Sequence, residues 1–198
     1  RPEAQWTLAA ETAAPLCSPA MSKVLEPCLR TCRQLGVSPT RWLLTVNIAR
    51  QSMSLFARQF DEYELDQCYR ISTSRFGIGS QANSNCTPLG LHRVARKVGG
   101  GWPVGAVFKS RKLMGYTWNG KPGAAITHRI FWLEGMEPGR NRGGNVDTFA
   151  RYIYIHGTGD EPTIGRPASH GCIHLAAQDL MPLYDLLPEK TLVWISAR

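Results

Sequence analysis

Two short stretches decide the local fold and the chemistry of this chain: residues 155–159, Ile-His-Gly-Thr-Gly, and residues 168–175, Ala-Ser-His-Gly-Cys-Ile-His-Leu. The first ends a run of apolar and aromatic residues, which predicts a strand with His156 at its tip. In the second, Gly171 permits a tight turn before Cys172, and successive N–H groups of such a turn can face one point. A cysteine nucleophile needs a nearby base and backbone donors for an oxyanion, and this pattern offers both.

Runs rich in β-branched and aromatic residues, separated by Gly and Pro, continue outward from these stretches. They predict strands over residues 42–49, 52–56, 65–73, 90–95, 128–133, 152–156 and 191–196. Apolar residues at three- and four-residue steps predict a short helix over residues 20–35, interrupted or kinked at Pro27 and ended by Gly36. Residues 176–187 predict a C-terminal helix. The expected fold class is therefore mainly β, a sandwich-like core with a short N-terminal helix and one C-terminal helix.

Length and composition fit one main domain. The chain has 198 residues, 43% hydrophobic and 9% aromatic, which excludes a disordered tail. Residues 1–40 are predicted to form an N-terminal arm and the short helical segment, and residues 41–198 the main domain. No stretch approaches about 18 consecutive apolar residues, so we expect no transmembrane segment in this chain.

Two long connections are predicted, over residues 98–127 and 134–148. Both combine glycines with cationic side chains, and the first adds aromatic residues such as Trp102 and Trp118. Loops of this length in a compact domain are usually functional or disordered. We expect the first to cover a substrate site, and the alternative is a solvated surface excursion.

The formal net charge is +8 at pH 7, and much of the excess lies in the middle of the chain. Cations in this part outnumber Glu134 and Glu137; they are Arg93, Arg96, Lys97, Lys109, Arg111, Lys112, Lys121, Arg129, Arg140 and Arg142. Such a stretch favours an anionic partner around the groove of the site, or forms a solvated face with none. No nucleic-acid-binding motif accompanies the charge, so we expect no nucleic-acid partner.

The stretches quoted first also resemble a known signature. His156-Gly157-Thr158, followed by Ser169-His170-Gly171-Cys172-Ile173, is similar to the motif of the L,D-transpeptidase catalytic domain family, also called YkuD. Residues 42–56 resemble the family's opening hairpin with its Gln-x-x-x-Leu-Phe pattern, and residues 87–90 resemble its Thr-Pro-x-Gly step. Residues 179–195 fit the closing helix and strand. A resemblance over residues 42–195 is far more specific than a single short motif.

The resemblance implies a cysteine L,D-transpeptidase that uses peptidoglycan stem peptides as donor and acceptor. It would form a thioester acyl-enzyme and then a crosslink, or attach another acceptor amine, in cell-wall remodelling. Cys172 would be the nucleophile that releases the terminal D-alanine, and His156 the general base, with the Gly157 carbonyl oxygen holding its other ring nitrogen. The amides of His170, Gly171 and Cys172 would form the oxyanion hole, supported by the His170 side chain. The family implies no cofactor and no metal, and a location in the cell envelope, periplasmic or otherwise extracytoplasmic.

Four further residues are expected on the substrate-binding side: Thr158, Ser169, His174 and Arg166. Ser169 is also expected to stabilise the turn. The position of His174 is commonly Arg in the family, and an imidazole cannot hold a carboxylate bidentately as a guanidinium does. We therefore expect Arg166, or a cation from the two long connections, to supply the missing charge.

Each main residue also has a structural interpretation. Cys172 could be an inert buried thiol, His156 a satisfied histidine at a strand end, and His170 a structural residue of the turn. The sequence His-x-Cys-x-His offers zinc ligands, but the intervening glycine favours a turn over an extended segment. For the function, the alternatives are an L,D-carboxypeptidase, which transfers the acyl group to water, and a non-catalytic peptidoglycan-binding module.

Besides the predicted nucleophile, five cysteines remain. Cys28 and Cys32 lie one helical turn apart, a separation that a helix rarely bridges, so both are predicted to be packing residues. In an oxidising compartment Cys17 with one of this pair, or Cys68 with Cys86, could form a disulfide. The odd number predicts at least one further free thiol in a monomer.

Overall fold

The computed structural model describes residues 21–198. They form two helices, α1 (Met21–Leu35) and α2 (Ala177–Leu186), and ten strands: β1 (Trp42–Asn47), β2 (Ser52–Gln59), β3 (Glu62–Arg70), β4 (Gly90–Val98), β5 (Ala106–Lys109), β6 (Lys112–Tyr116), β7 (Thr127–Gly135), β8 (Tyr154–Gly157), β9 (Ile173–Leu175) and β10 (Leu192–Ser196). Short 3-10 helices occupy Gly144–Val146 and Glu161–Thr163. The predicted N-terminal arm lies outside the described residues. Neither described helix has the length and apolar character needed to cross a membrane.

The described strands belong to one hydrogen-bonded sheet, and the mainly β prediction is confirmed. Their order is β3-β2-β1-β10-β4-β7-β5-β6, and β8 joins by pairing with β7 and carries β9 beside it. The β1–β10 and β8–β9 pairs are parallel. Because a parallel pair needs a connection that returns along the sheet, residues 158–172 loop back and bring the two decisive stretches side by side.

The two helices cover opposite faces of the sheet. In β10, Val193 and Ile195 belong to the apolar core that includes α2, whereas Leu192 and Trp194 belong to the cluster that includes α1. This alternation follows from the period of two along a strand. The central strands are therefore buried on both faces, which gives the site a rigid support.

Helix α1 continues through Pro27 without a break, so the predicted interruption is wrong. Cys28 and Cys32 are buried against the sheet, and this burial offsets the hydrogen bond that proline cannot donate. Gly36, with φ of 64°, ends the helix as predicted. The Val37 N–H donates to the Cys32 carbonyl oxygen (2.9 Å), in the manner of a glycine C-cap.

The long connection predicted over residues 98–127 is not a continuous loop, because this segment contains the β5–β6 hairpin. Its turn is Ser110-Arg111, where φ is 48° and 65°, as in a type I′ turn. Asn-Gly is a usual sequence for such a turn, and its absence hides the hairpin at the sequence level. Phe108 and Trp132 lie in a third apolar cluster, which connects the hairpin to β7.

The free thiols among the described residues test the predicted disulfides. Cys28 and Cys32 are buried and free, which confirms them as packing residues and excludes their pairing with Cys17. Cys86 is also free, so the predicted alternative of Cys68 with Cys86 is wrong. Cys17 lies outside the described residues. The prediction of a further free thiol is confirmed.

Candidate active site

Strands β8 and β9 place two histidines and a cysteine on one face of the sheet. In their parallel register Ile155 lies beside Ile173, and His156 lies beside His174. Both isoleucines are fully buried in the core that includes α2. Because side chains alternate along a strand, the two histidines point to the opposite face, and so does Cys172, which precedes Ile173.

The imidazole of His156 is buried and its tautomer is determined by one contact. Nδ1 lies 2.7 Å from the Gly157 carbonyl oxygen, and since a carbonyl oxygen only accepts, Nδ1 carries the proton and Nε2 does not. Burial, and then the charge of His174, lower the pKa of His156 to about 3. The ring is therefore neutral at neutral pH, with Nε2 free to accept a proton.

The Cys172 thiol lies against the backbone that leads into β8. Its Sγ accepts from the Tyr154 N–H (3.4 Å) and donates to the Tyr152 carbonyl oxygen (3.5 Å). Within residues 21–198 these backbone groups, and not His156, are its hydrogen-bond partners. Burial raises the pKa of Cys172 to about 11, against smaller lowering effects of the Tyr154 N–H and the Arg151 guanidinium. The resting group is thus a neutral thiol.

A tight turn at residues 169–172 holds the cysteine. Ser169 Oγ donates to the Cys172 carbonyl oxygen (2.5 Å) and accepts from the Gly171 N–H (3.2 Å). Gly171 has φ of 116°, and a Cβ there would lie 3.2 Å from the Cys86 carbonyl oxygen. In addition, the Thr87 hydroxyl donates to the Gly171 carbonyl oxygen (3.0 Å). The turn is therefore constrained both by its own residues and by the loop that precedes β4.

Three of the residues predicted on the substrate side lie at different places around this turn. His174 packs on His156 with ring centres 4.7 Å apart, and its Nδ1 is buried with no partner among the described residues. Thr158 is buried, and its hydroxyl accepts the backbone N–H two residues further on (3.1 Å). Arg166 is exposed, and its carbonyl oxygen accepts from the Ser72 hydroxyl (2.6 Å).

His170 lies on the exposed rim of the site. Its Nε2 is 2.9 Å from Arg75 Nη2, and its ring packs at 5.3 Å on Phe76. Since a guanidinium only donates, Nε2 is the accepting nitrogen of this ring. His170 also lines a cleft of about 230 Å³ with Asn83 and Asn85. Within residues 21–198, no three His, Cys, Asp or Glu side chains lie close enough to share a metal ion.

Sequence reasoning missed Arg151. Its guanidinium donates to the carbonyl oxygens of Gly79 (3.2 Å) and Cys86 (2.7 Å) and to Ser84 Oγ (3.3 Å). It ties the loop around residues 79–86 to the segment that precedes β8, and its charge lowers the pKa of Cys172. These contacts join residues far apart in sequence, so no local pattern indicates them.

The neighbouring aromatic residues did carry a local signal. Tyr152 and Tyr154 alternate with isoleucine immediately before His156, and alternate residues of a strand share one face. The Tyr154 ring lies edge-on to the His156 ring at 6.2 Å. This pattern predicts a shared face for Tyr154 and His156, whereas Tyr152 precedes β8 and has φ of 57°.

The basic stretch 93–142 does not line the site as one surface. Arg93 pairs with Glu134, and Arg140 pairs with Glu137. Arg111, by contrast, lies over aromatic rings beside the site. Two of its ten cations are thus neutralised by ion pairs within the fold, and that the remaining cations flank the groove stays a prediction.

Comparisons with known proteins agree with this fold. The model of the YkuD family, L,D-transpeptidase catalytic domain, matches residues 41–195. A search among curated proteins returned no match.

Several solved structures share the fold at low identity. They include Bd1075 from Bdellovibrio bacteriovorus (TM-score 0.52, 14% identity, 80% of this chain and 49% of that one). An L,D-transpeptidase from Mycobacterium smegmatis has a TM-score of 0.50 and 18% identity, and the match covers 79% of this chain and 59% of that one. The helical cell shape determining protein Pgp2 from Campylobacter jejuni has a TM-score of 0.52 and 16% identity, and the match covers 81% of this chain and 49% of that one. The chain thus spans about half of the length of these proteins.

Proposed function

Because the chain belongs to the L,D-transpeptidase catalytic domain (YkuD) family, we propose that it is a cysteine acyltransferase acting on peptidoglycan stem peptides. Cys172 is the nucleophile and His156 the general base. The observation that supports this assignment is the shared face of the β8–β9 pair, which carries the thiol and an imidazole whose Nε2 is unprotonated.

The pKa values favour base-assisted attack over a resting ion pair. The pKa of Cys172 is raised and that of His156 is lowered, so both groups are neutral before reaction. As Sγ leaves the Tyr152 carbonyl oxygen, His156 Nε2 takes its proton. Sγ then attacks the carbonyl carbon of the third stem residue, and its electron pair forms the new C–S bond.

The turn at residues 169–172 supplies donors for the oxyanion that forms in this attack. In our proposal the backbone N–H groups of His170, Gly171 and Cys172 face it. The Gly171 N–H is shared with Ser169 Oγ at 3.2 Å, a long bond that competes weakly with an anion. Collapse of the intermediate breaks the C–N bond, and D-alanine leaves with the proton held by His156.

The thioester is then resolved by an acceptor amine, which gives a crosslink or an attached group. His156 Nε2 accepts the amine proton and returns a proton to Cys172. Peptidoglycan lies outside the cytoplasm, so we place the protein in the cell envelope, in the periplasm or an equivalent space. A role in cell-wall remodelling accords with the cell-shape function in the name of the neighbour Pgp2.

Mass spectrometry of the protein with a tetrapeptide stem, with and without an acceptor peptide, tests the proposal. We expect Cys172 to gain the stem less D-alanine, and a crosslinked product to form when the acceptor is present. Cys172→Ala should show neither, whereas Cys86→Ala, which removes another free thiol, should behave like the wild type. A tripeptide without any crosslink would indicate the carboxypeptidase alternative, and no adduct or conversion would contradict an enzyme.

A further inference from the structure

Arg111 occupies the turn of the β5–β6 hairpin, and its guanidinium reaches back over the sheet. It lies 4.7 Å from the ring centre of Trp132 and 4.9 Å from that of Tyr152. Nη1 donates to the Tyr154 hydroxyl (3.3 Å). A cation is thus placed over two aromatic rings, whose faces attract it, and is held by the hydroxyl of a third aromatic side chain.

The same tyrosines contact the candidate nucleophile. The Tyr154 N–H and the Tyr152 carbonyl oxygen are the groups that hold Cys172 Sγ (3.4 and 3.5 Å). Cys172 also packs against the apolar cluster that contains Trp132. Tyr154 therefore links the two groups, since its hydroxyl accepts from Arg111 and its backbone N–H donates to Cys172 Sγ.

Among residues 21–198 the charge of Arg111 has no acidic partner. Four other arginines pair with carboxylates at 4.0 Å or less; they are Arg33, Arg58, Arg93 and Arg140. In residues 21–198 Arg111 has no such pair, and the groups that act on it are the phenols of Tyr152 and Tyr154. Since a guanidinium has five N–H donors, most of its capacity is left for a ligand.

The backbone at this position is unfavourable for a long side chain. Ser110 and Arg111 have φ of 48° and 65°, a region where Gly and Asn are preferred and other residues are uncommon. Such conformations occur in hairpin turns and are also found at binding and catalytic sites. The turn therefore holds Arg111 in a backbone conformation that is uncommon for arginine, and it directs the side chain over Trp132 and Tyr152.

We propose that Arg111 binds a carboxylate of the donor stem peptide and thereby positions the peptide carbonyl at Cys172. The inference rests on the proposed function. His174 cannot form a bidentate pair with a carboxylate, and Arg111 approaches the same face from the hairpin instead. A carboxylate is chosen because a planar guanidinium on a partly apolar surface matches it in shape and charge.

Binding of the tetrapeptide stem to the full chain carrying Cys172→Ala tests this without requiring turnover. We expect Arg111→Met in that background to weaken binding about tenfold, the loss typical of one charge-assisted contact. Arg111→Lys should recover part of the affinity. Lys112→Met, which removes an exposed cation from the same hairpin, is the matched control and should leave binding unchanged.

Three amidated peptides distinguish which carboxylate is bound. One carries an amide at the side-chain carboxyl of the third residue, one at the free carboxyl of the second, and one at the carboxyl of the terminal D-alanine. For the recognised group, amidation should weaken binding to the Cys172→Ala protein about tenfold but have no further effect once Arg111 is Met. Equal loss with Lys112→Met, or no dependence on any of the three amides, would overturn the inference.

Kinetics separate this inference from the proposed function. If the wild type converts the peptide and Arg111→Met raises KM with kcat retained, both hold. Conversion with identical KM in Arg111→Met overturns only the role of Arg111. Absence of any adduct on wild-type Cys172 overturns the proposed function, while the binding measurement still decides on Arg111.

Discussion

The imidazole rings of His156 and His174 lie 4.7 Å apart on adjacent parallel strands, with an angle of 55° between their planes. Burial is the main cause that lowers the pKa of His156 to about 3 and that of His174 to about 4. The charge of His174 further opposes protonation of His156. The pair therefore remains neutral where an isolated histidine, with a pKa near 6.5, begins to protonate.

The first prediction concerns the acid side of the pH–rate profile. Because lowering pH protonates His156 only far below its ordinary pKa, kcat/KM for the tetrapeptide should stay level from pH 7 to about pH 5. Circular dichroism at each pH is the control for unfolding. An acid limb near pH 6.5 in folded protein would contradict a buried neutral base.

The thiol gives a second prediction. Iodoacetamide reacts with the thiolate, and burial raises the pKa of Cys172 to about 11. Alkylation of Cys172, followed by peptide mass spectrometry, should therefore be slow at pH 7 and accelerate about tenfold per pH unit up to about pH 10. A rate that is already maximal at pH 7 would instead indicate a resting thiolate.

Arg151 should modulate that reactivity. Its positive charge lowers the pKa of Cys172, so Arg151→Met should slow alkylation at pH 8 by about threefold, and Arg151→Lys should restore part of the rate. Arg96→Met removes an exposed cation from β4 and serves as the control. Faster alkylation in Arg151→Met would mean that release of the loop around residues 79–86 outweighs the lost charge.

Strands with strong alternation could be predicted from sequence, and strands that depend on their partners could not. β1, β4 and β10 carry apolar and β-branched runs, and each was predicted within a few residues of its observed ends. β9 has only three residues, Ile173–Leu175, and exists because β8 pairs with it and Ser72 bridges to His174. Such pairing is a long-range property that a local pattern does not contain.

The same distinction holds for the site. Cys172 and His156 belong to short motifs, and the structure brings their strands side by side. The contact of Arg111 with Tyr154 spans 43 positions of the chain, and it depends on a hairpin turn without the usual turn residues. A short motif therefore does not reveal a cation that is placed by long-range contacts. Arg166 is close to Cys172 in sequence, but its side chain is exposed.

Close packing around Gly157 gives a fourth prediction. A Cβ at this position would lie 2.3 Å from His128 Cδ2 and 2.8 Å from the Thr127 carbonyl oxygen. Gly157→Ala should therefore lower the free energy of unfolding by about 1–3 kcal/mol. It should also reduce turnover, because the Gly157 carbonyl oxygen holds His156 Nδ1.

Urea unfolding and peptide turnover measure the two effects of Gly157→Ala. Gly123→Ala is the matched control, since a Cβ there meets no atom within 4 Å, and its free energy of unfolding should change by less than about 0.5 kcal/mol. Equal stability of the two variants would show that β7 and β8 can separate without cost, contrary to the packing described.

The last prediction concerns acid stability and His92, which is fully buried on β4. Its Nδ1 donates to the Gly90 carbonyl oxygen (3.0 Å), and Nε2 accepts from the Thr148 hydroxyl (3.1 Å). Burial lowers the pKa of His92 to about 4, whereas in the unfolded chain it is near 6.5.

Between these two values the unfolded state binds one more proton than the folded state, so His92 makes stability fall as pH decreases from about 6.5 to about 4. Its share of the loss between pH 7 and pH 5 should be about 2 kcal/mol. Urea unfolding at both pH values should show a fall in the free energy of unfolding that is smaller by this amount in His92→Gln than in the wild type, because glutamine does not titrate. His170→Gln, at an exposed position, should retain the wild-type loss. If His92→Gln lost as much free energy of unfolding between pH 7 and pH 5 as the wild type, the prediction would be wrong. The pKa of His92 would then be the same in the folded and unfolded states, and the acid sensitivity would have to come from the other buried histidines.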